Sequence, residues 1–371
     1  MTGSASDLDK AKAYQKKKQV LTLFHLFLTP VILGVAVTTP LSSMFKSLAL
    51  GMTQNLYLAL SLYFIFFTLY MLVFDLPFSF YSGFILEHRF ELSNQTFGAW
   101  FKDFAKKTLL SFAFSLLLIE ALFALIWNQP FHWWLFAWAG YVAVSYGLGK
   151  VFPVLIVPLF YRYGKIETDS LRNRILALAA RYGLPVENVY TLDLSKTTKK
   201  ANAAFMGIGR TKRVVLSDTL LSHFTEGEIE TVVAHEMGHF KHRDIWKQLG
   251  FGAATSLAAF WLVFRLIEPA SQSFGLEGTA DIANLPLLFL IFYFFGLVLL
   301  PVQNGFCRRL ERAADRFALD ACPDKDVFVS CLEKLGKVNL ADPHPHPLYE
   351  WFFYDHPAIA KRIRMAQAAN R

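Results

Sequence analysis

Six long apolar stretches punctuate the chain, at Val20–Thr38, Leu56–Phe74, Thr108–Trp127, Phe131–Phe160, Leu249–Ile267 and Leu285–Val302. A helix needs about 20 such residues to cross a bilayer, so the pattern predicts a polytopic membrane protein in place of one soluble core. The fourth stretch is too long for one ordinary crossing, and Pro153 and Pro158 interrupt it. That predicts a kinked helix projecting beyond the bilayer; read as two shorter spans, it would raise the count from six to seven.

Between the fourth and fifth stretches the patterning becomes that of a soluble domain. Thr168–Tyr182 has helical periodicity, while Val189–Leu194 and Lys212–Ser217 read as strands. Ala203–Met206 is a shorter strand between them, with Gly207-Ile-Gly209 as a turn. A further helix opens at Thr225-Glu-Gly-Glu228, a capping-box pattern, with Ile229, Val232, Val233 and Phe240 as its buried stripe. The chain thus divides into a tail at 1–18, spans one to four at 19–161 with an inside loop at 76–107, and the first part of a soluble domain at 162–246. Spans five and six follow at 247–305, and the remainder of the soluble domain at 306–371.

Charge fixes the expected orientation. Lys10, Lys12, Lys16, Lys17 and Lys18 precede the first span, Arg89, Lys102, Lys106 and Lys107 separate the second from the third, and Lys165 and Arg172 follow the fourth. Lys and Arg favour the cytoplasmic side, and six spans place all of these groups there. The outside loops become Thr39–Asn55, Asn128-Gln-Pro and Glu268–Asn284. Topology therefore accounts for most of the net charge of +8, and no nucleic-acid partner is implied. Cys307, Cys322 and Cys331 all fall inside without paired metal-ligand spacing, so no disulfide is expected. The polar, lysine-rich start leads into a full-length span, which predicts a retained helix and not a cleaved signal peptide. Asn94-Gln-Thr96 matches a glycosylation acceptor, but on the inside face it should stay unmodified.

The chemistry is concentrated in Ala234-His235-Glu236-Met-Gly-His239. On a helix His235 and His239 stack on one face and can reach one tetrahedral Zn²⁺, one per chain, while Glu236 is placed as general base toward the attacking water. A catalytic zinc keeps one position open and takes a third protein ligand. Glu311, Asp315, His344, His346 and His356 all remain candidates on residue type. Glu311 and Asp315 lie four apart on one helical face, so one can ligate while the other orients a ligand histidine; alternatively both are a solvated face paired with Arg308 or Arg312. A strand upstream of such a helix also matters, because a free edge can pair with an extended peptide.

Several separated segments together resemble the CAAX prenyl protease 1 family, membrane-embedded zinc metalloproteases that cleave prenylated C-terminal motifs. They are Leu76-Pro-Phe-Ser-Phe-Tyr-Ser with Phe84-Ile-Leu-Glu87-His-Arg-Phe, Asn202-Ala-Ala-Phe-Met-Gly with Lys212-Arg-Val-Val-Leu-Ser-Asp-Thr-Leu, and the zinc motif. Arg309-Leu-Glu311-Arg-Ala-Ala-Asp315, Pro347-Leu-Tyr, His356-Pro and Arg362 complete them in the same order. The resemblance implies a mainly α fold, a polytopic helical bundle enclosing a chamber, with a small α+β zinc protease domain. It implies that His235, His239 and Glu311 bind zinc, Glu236 is the base and Asp315 orients a ligand. It further implies that Asn202 and Ala203 hold substrate backbone, and that His356 and Arg362 stabilise the oxyanion or position substrate. The partners implied are a peptide or protein substrate, prenylated or not, and the lipid bilayer. The better-known eukaryotic members have seven spans and a longer polar insertion, whereas six are counted here.

Two rival readings stand beside this. A heat-shock-type membrane metalloprotease shares the zinc motif but usually has fewer spans, and lacks the Leu76–Phe90 segment. A transporter or scaffold with structural zinc would close the fourth position with Cys or His, and no cysteine lies near the motif. Glu120 and His25 fall inside apolar stretches, where each marks either a hydrated chamber or a local helix–helix hydrogen bond. The membrane is the bacterial inner membrane or the endoplasmic reticulum, depending on the organism.

Overall fold

The computed structural model describes residues 5–166, 168–184, 189–207, 213–322 and 324–368. Beyond Gly207, the expected Gly207-Ile-Gly209 turn lies outside the described residues. Helix α1 (Ala5–Thr38) takes in the lysine-rich lead-in as well as the first apolar stretch. No Gly or Pro occurs before Pro30 within it, so the boundary at residue 18 is one of composition and not of backbone. The first outside loop proves partly helical: α2 (Leu41–Met52) turns Met44 and Leu48 outward. The same helix buries Ser42, whose hydroxyl meets Tyr63 Oη at 2.6 Å and donates to the Ala283 carbonyl at 2.7 Å.

Asn55 caps α3 (Leu56–Phe80), which continues through a π-turn at Tyr81–Ile85 into α4 (Leu86–Arg89). The π-turn begins four residues after Pro77, whose ring removes a donor and disturbs the hydrogen-bond ladder. Much of the expected inside loop at 76–107 is therefore helix, since α5 (Phe97–Asn128), capped by Thr96, begins soon after. The fourth stretch forms α6 (Trp133–Val151), a π-turn at Phe152–Ile156 that contains Pro153, and α7 (Val157–Phe160). It is one interrupted rod and not two crossings. Among the described residues, six helices are long and apolar enough to span a membrane.

The soluble part begins with β1 (Tyr163–Lys165), too short to read from sequence, and α8 (Asp169–Arg181). Strands β2 (Val189–Leu192), β3 (Ala203–Met206) and β4 (Arg213–Ser217) follow, in the sheet order β1-β2-β4-β3. β2 and β4 are parallel; β3 pairs antiparallel with β4, Ala203 opposite Leu216, and is an edge strand. After α9 (Asp218–His223) comes α10 (Glu226–Lys241), the motif helix, packed over Ile175, Val214, Leu216 and Leu220 by Val233 and Met237.

α11 (Asp244–Ser273) and α12 (Leu285–Ala321) are the last two spans. At 37 residues, α12 is about 55 Å long against a hydrocarbon core of about 30 Å, so its last turns carry Glu311 and Asp315 beyond the bilayer. α13 (Lys325–Val338), α14 (Pro347–Phe353) and α15 (Ile359–Ala368) close the soluble domain. At the opposite end of the bundle, Leu60, Tyr63, Phe123, Trp133 and Ile267 form a second packed cluster. Glu120 and His25 take different roles: Glu120 accepts from Ser61 Oγ at 2.7 Å across α3 and α5, whereas His25 lies tilted against Phe78 and lines a cavity with Asp75 and Lys107.

Candidate active site

The local signal that starts α10 also sets the site's register. Thr225 accepts from the Glu228 N–H while the Glu228 carboxylate accepts from the Thr225 N–H, the reciprocal capping box expected from sequence. From that start, His235 and His239 fall one turn apart on one face, ring centroids 4.9 Å apart. Opposite them, α12 approaches closely because position 238 is glycine: a Cβ there would lie 2.9 Å from Ala314 Cα. That contact brings Glu311 between the imidazoles, with Oε2 3.2 Å from His235 Nε2 and Oε1 3.3 Å from His239 Nε2.

The three residues offer ligand atoms that all lie within 4.8 Å of one another. Bonds of about 2.0–2.1 Å to a tetrahedral ion place ligand atoms roughly 3.4 Å apart, close to the carboxylate–imidazole separations here. Glu311 Oε2 is also buried without a hydrogen-bonding partner of adequate geometry. An unpaired carboxylate oxygen beside two ring nitrogens is costly unless a cation joins them, so the donor set fits a metal ion.

Each imidazole is oriented from behind. His235 Nδ1 lies 2.9 Å from Asp315, His239 Nδ1 3.0 Å from Asp244, and His356 Nδ1 2.8 Å from Asp355. These contacts direct all three Nε2 atoms toward Glu311, His356 at 3.3 Å from its Oε2. Burial alone would lower the pKa of His235, but the adjacent carboxylates of Asp315 and Glu311 outweigh it and lift the value to about 9. His239 and His356 are likewise raised against the effect of burial, by Glu311 and by Asp355 respectively. Buried Asp315 is held in turn by Arg362, whose Nη2 and Nε donate at 2.6 and 2.9 Å. Arg362 is thus engaged behind His235, although it still borders the cleft.

That cleft, about 250 Å³, has Asn202, Ala203, Glu236, His356, Arg362 and Leu335 among its walls. Glu236 is half-buried, and its Oε2 accepts from the Phe205 N–H at 3.3 Å, so it reaches from α10 to the free edge of β3. Backbone parity settles what that edge offers. The Asn202 carbonyl accepts from the Ser217 N–H, and its own N–H donates to Ser217 Oγ. Asn202 therefore faces β4 with its main chain, and only its exposed side chain is available, whereas Ala203 and Phe205 turn their main-chain groups outward.

The other third-ligand candidates lie elsewhere. His346 caps α14, accepting from the Leu348 N–H, and His344 is outside the cluster. Sequence reasoning missed Asp244, Asp355, Phe205 and the packing role of Gly238. Asp244 just past the helix end and Asp355 beside His356 were visible as acidic neighbours, but nothing in their spacing shows which ring nitrogen they meet.

A model of peptidase family M48 matches residues 165–370, more than half the chain. The chain belongs to peptidase family M48. The segment before it, residues 2–162, matches the N-terminal region of CAAX prenyl proteases, described as five membrane helices; four of the six span-grade helices here fall in it. The M48 chain is 31% identical over 289 residues to the uncharacterized metalloprotease YhfN of Bacillus subtilis, covering 77% of this chain and 68% of that protein. It is 28% identical over 310 residues to CAAX prenyl protease 1 of Saccharomyces cerevisiae, covering 78% and 68%. Among solved structures it superimposes on S. mikatae Ste24p with a TM-score of 0.80, covering 97% of this chain and 88% of that one at 24% identity, a likeness of fold. These matches make the protein a multi-pass membrane metalloprotease, acting on peptide or protein substrates.

Proposed function

We propose that this M48 protein is a zinc endopeptidase that removes C-terminal residues from prenylated CAAX-type substrates at the cytoplasmic face of its membrane. The observation that carries the reading is the convergence of His235, His239 and Glu311 on one point, with Glu236, beside His235 in the same cleft, accepting from the free edge of β3. Two histidines, one glutamate and an open side suit catalytic zinc. The names of the relatives, CAAX prenyl protease 1 in yeast and plants among them, supply the substrate class. The lysines in the N-terminal parts of α1 and α5 support the orientation. The loop carrying Asn94 lies against the protease domain, its Nδ2 donating to the Ser195 carbonyl at 2.7 Å, which puts both on one side.

In this reading His235, His239 and Glu311 hold the ion, which when bound supplies Lewis acidity and lowers the pKa of water. An extended substrate pairs with the outward main-chain groups of Ala203 and Phe205 while the Asn202 side chain contacts its backbone. Glu236 takes a proton from the attacking water and passes it to the leaving amine. His356, its Nε2 directed into the site by Asp355, donates to the carbonyl oxygen as negative charge develops. Arg362 acts through Asp315, fixing the orientation of His235.

Purified, zinc-loaded protein should cleave a peptide carrying a farnesylated cysteine much faster than the same peptide without it. Glu236→Gln should bind one equivalent of zinc and be inert. Full activity in Glu236→Gln would refute the assigned base, and equal cleavage of both peptides would favour a broader membrane protease.

A further inference from the structure

Two cavities among the spans differ in chemistry. One, of about 540 Å³, is bordered by His25, Asp75 and Lys107. The other, of about 730 Å³, lies between α5, α6, α11 and α12 and is walled mainly by aliphatic and phenylalanine side chains. One end of this apolar cavity is marked by Gln248, Gln303 and Cys307. Gln248 lies one turn beyond Asp244, which bonds His239, and Cys307 lies one turn before Glu311. The opposite end reaches Leu125 and Phe136.

We propose that the apolar cavity is the slot for the isoprenoid chain on the substrate's cysteine, that Gly252, four residues from Gln248, keeps its polar end open, and that Gly140, four residues from Phe136, sets the chain length it admits. The inference rests on the reading of prenylated substrates given above. Removal of the residues after the cysteine places its thioether next to the scissile bond, so the chain must begin beside the metal ligands. The slot's polar end lies there. From Gln248 to Phe260, both lining, α11 advances twelve residues, about 18 Å. At ~1.2 Å per bond, the twelve-carbon backbone of a farnesyl group extends about 14 Å and the sixteen-carbon backbone of a geranylgeranyl group about 19 Å. The first fits with room to spare and the second fills the slot.

The volume lies within the range that encloses a small ligand. A peptide segment suits it poorly, because its main-chain groups would go unsatisfied against apolar walls. Gly252 on α11 and Gly140 on α6 both line the slot, and a Cβ at either meets nothing within 4 Å. Both therefore border open space, and a larger side chain would fill the slot without displacing the walls. Gly250, equally open but absent from the lining, is a matched control.

The test uses the full-length, zinc-loaded protein in nanodiscs with one peptide in three forms: farnesylated, geranylgeranylated and unprenylated. Gly140→Leu should raise KM for the geranylgeranyl peptide at least about tenfold and less for the farnesyl peptide, Gly252→Leu and Gly252→Trp should raise it at least about tenfold for both, and none should change it for the unprenylated one. Gly250→Leu should change none. Independently of cleavage, a photoreactive farnesyl-cysteine probe should label α11 or α12 in the slot. Free farnesyl-cysteine should compete with it, excess phospholipid should not, and Gly252→Trp should abolish it. Equal effects on all three peptides, no effect on any, labelling elsewhere, or equal competition by phospholipid would each overturn the slot. Correct labelling with no preference for prenylated peptides in cleavage would instead count against the CAAX reading.

Discussion

Gly238→Ala separates folding from site assembly. The added Cβ would sit 2.9 Å from Ala314 Cα and 3.2 Å from both the Ala314 carbonyl oxygen and Phe317 Cβ. Carbon atoms rest at about 3.5–4.0 Å, so α12 must retreat from α10 by roughly 0.6 Å or more at a backbone-to-backbone contact that no rotamer can relieve. Overpacking of this kind costs about 1–3 kcal/mol, partly offset by the ~1 kcal/mol that alanine gains over glycine in a helix, so the variant should fold. Its metal site should not survive intact. Glu311 lies three residues from Ala314 on the same helix, and ligand distances tolerate only about 0.2 Å. The expected result is substoichiometric zinc and a fall in kcat/KM of about 100-fold, the scale set by misplacement of reacting groups. Zinc content by mass spectrometry, peptide cleavage and thermal unfolding should be read on the same preparation. Gly227→Ala is the control, since its Cβ would meet Val327 Cγ1 at an ordinary 3.6 Å, and it should leave all three readings unchanged. A Gly238→Ala protein with full zinc and activity would refute close helix contact as the source of the ligand geometry.

Three further outcomes follow from the same structure. Asp315→Ala leaves half-buried Arg362 and His235 Nδ1 without their shared acceptor; it should lower zinc affinity about 10–100-fold and cost roughly 3 kcal/mol, measured by chelator competition and thermal unfolding. On the proposed zinc reading, the ion would have to displace protons from His235, whose pKa lies at about 9, and from His239, whose pKa is also raised. Apparent affinity should therefore climb by up to about tenfold per pH unit for each proton displaced below those values, and a flat profile from pH 6 to 8 would contradict it. Buried Glu228 is opposed by desolvation, but Lys334, Thr225 and Ser330 outweigh that and hold its pKa below the ordinary 4.5. Its contribution is present above that pH and lost as pH falls through the depressed value. Glu228→Gln should therefore destabilise the protein by about 1–3 kcal/mol near neutrality and converge with the parent at low pH in thermal melts.

Legibility differed by the kind of force involved. Burial in lipid demands long uniform runs, so the six spans and even the interruption at Pro153 could be read directly, while amphipathic α2 lacked the length of a span and passed for loop. The α10 start was readable because capping is local, with Thr225 and Glu228 three residues apart. Glu311 and Asp315 remained interchangeable as candidate ligands, because helical spacing puts both on one face. Only the packing of α12 on α10 shows Glu311 meeting the Nε2 atoms and Asp315 the Nδ1 of His235. Which main-chain groups β3 exposes was equally hidden, since strand parity depends on the register of Ala203 with Leu216.

The membrane helices also hold the free edge of β3. The lead-in to β3 is tied to the turn after α4: the Lys199 N–H donates to the Leu92 carbonyl at 2.9 Å, and the Asn94 N–H to the Thr197 carbonyl at 3.1 Å. Lys200 meets Glu87 at 2.7 Å, and Glu87 also accepts from Tyr14 at the start of α1. On the far side of the site, Glu311 rides on the projecting end of α12. The strand and Glu311 are therefore each anchored to a span, with α10 held between them by its contacts to β3 and to α12. A soluble enzyme could set these positions through its own core. Here Val233 and Met237 pack α10 on the sheet in the same way, and the spans add restraints on β3 and on Glu311, so bundle and soluble core together set the spacing between the β3 edge and the His235–His239–Glu311 cluster.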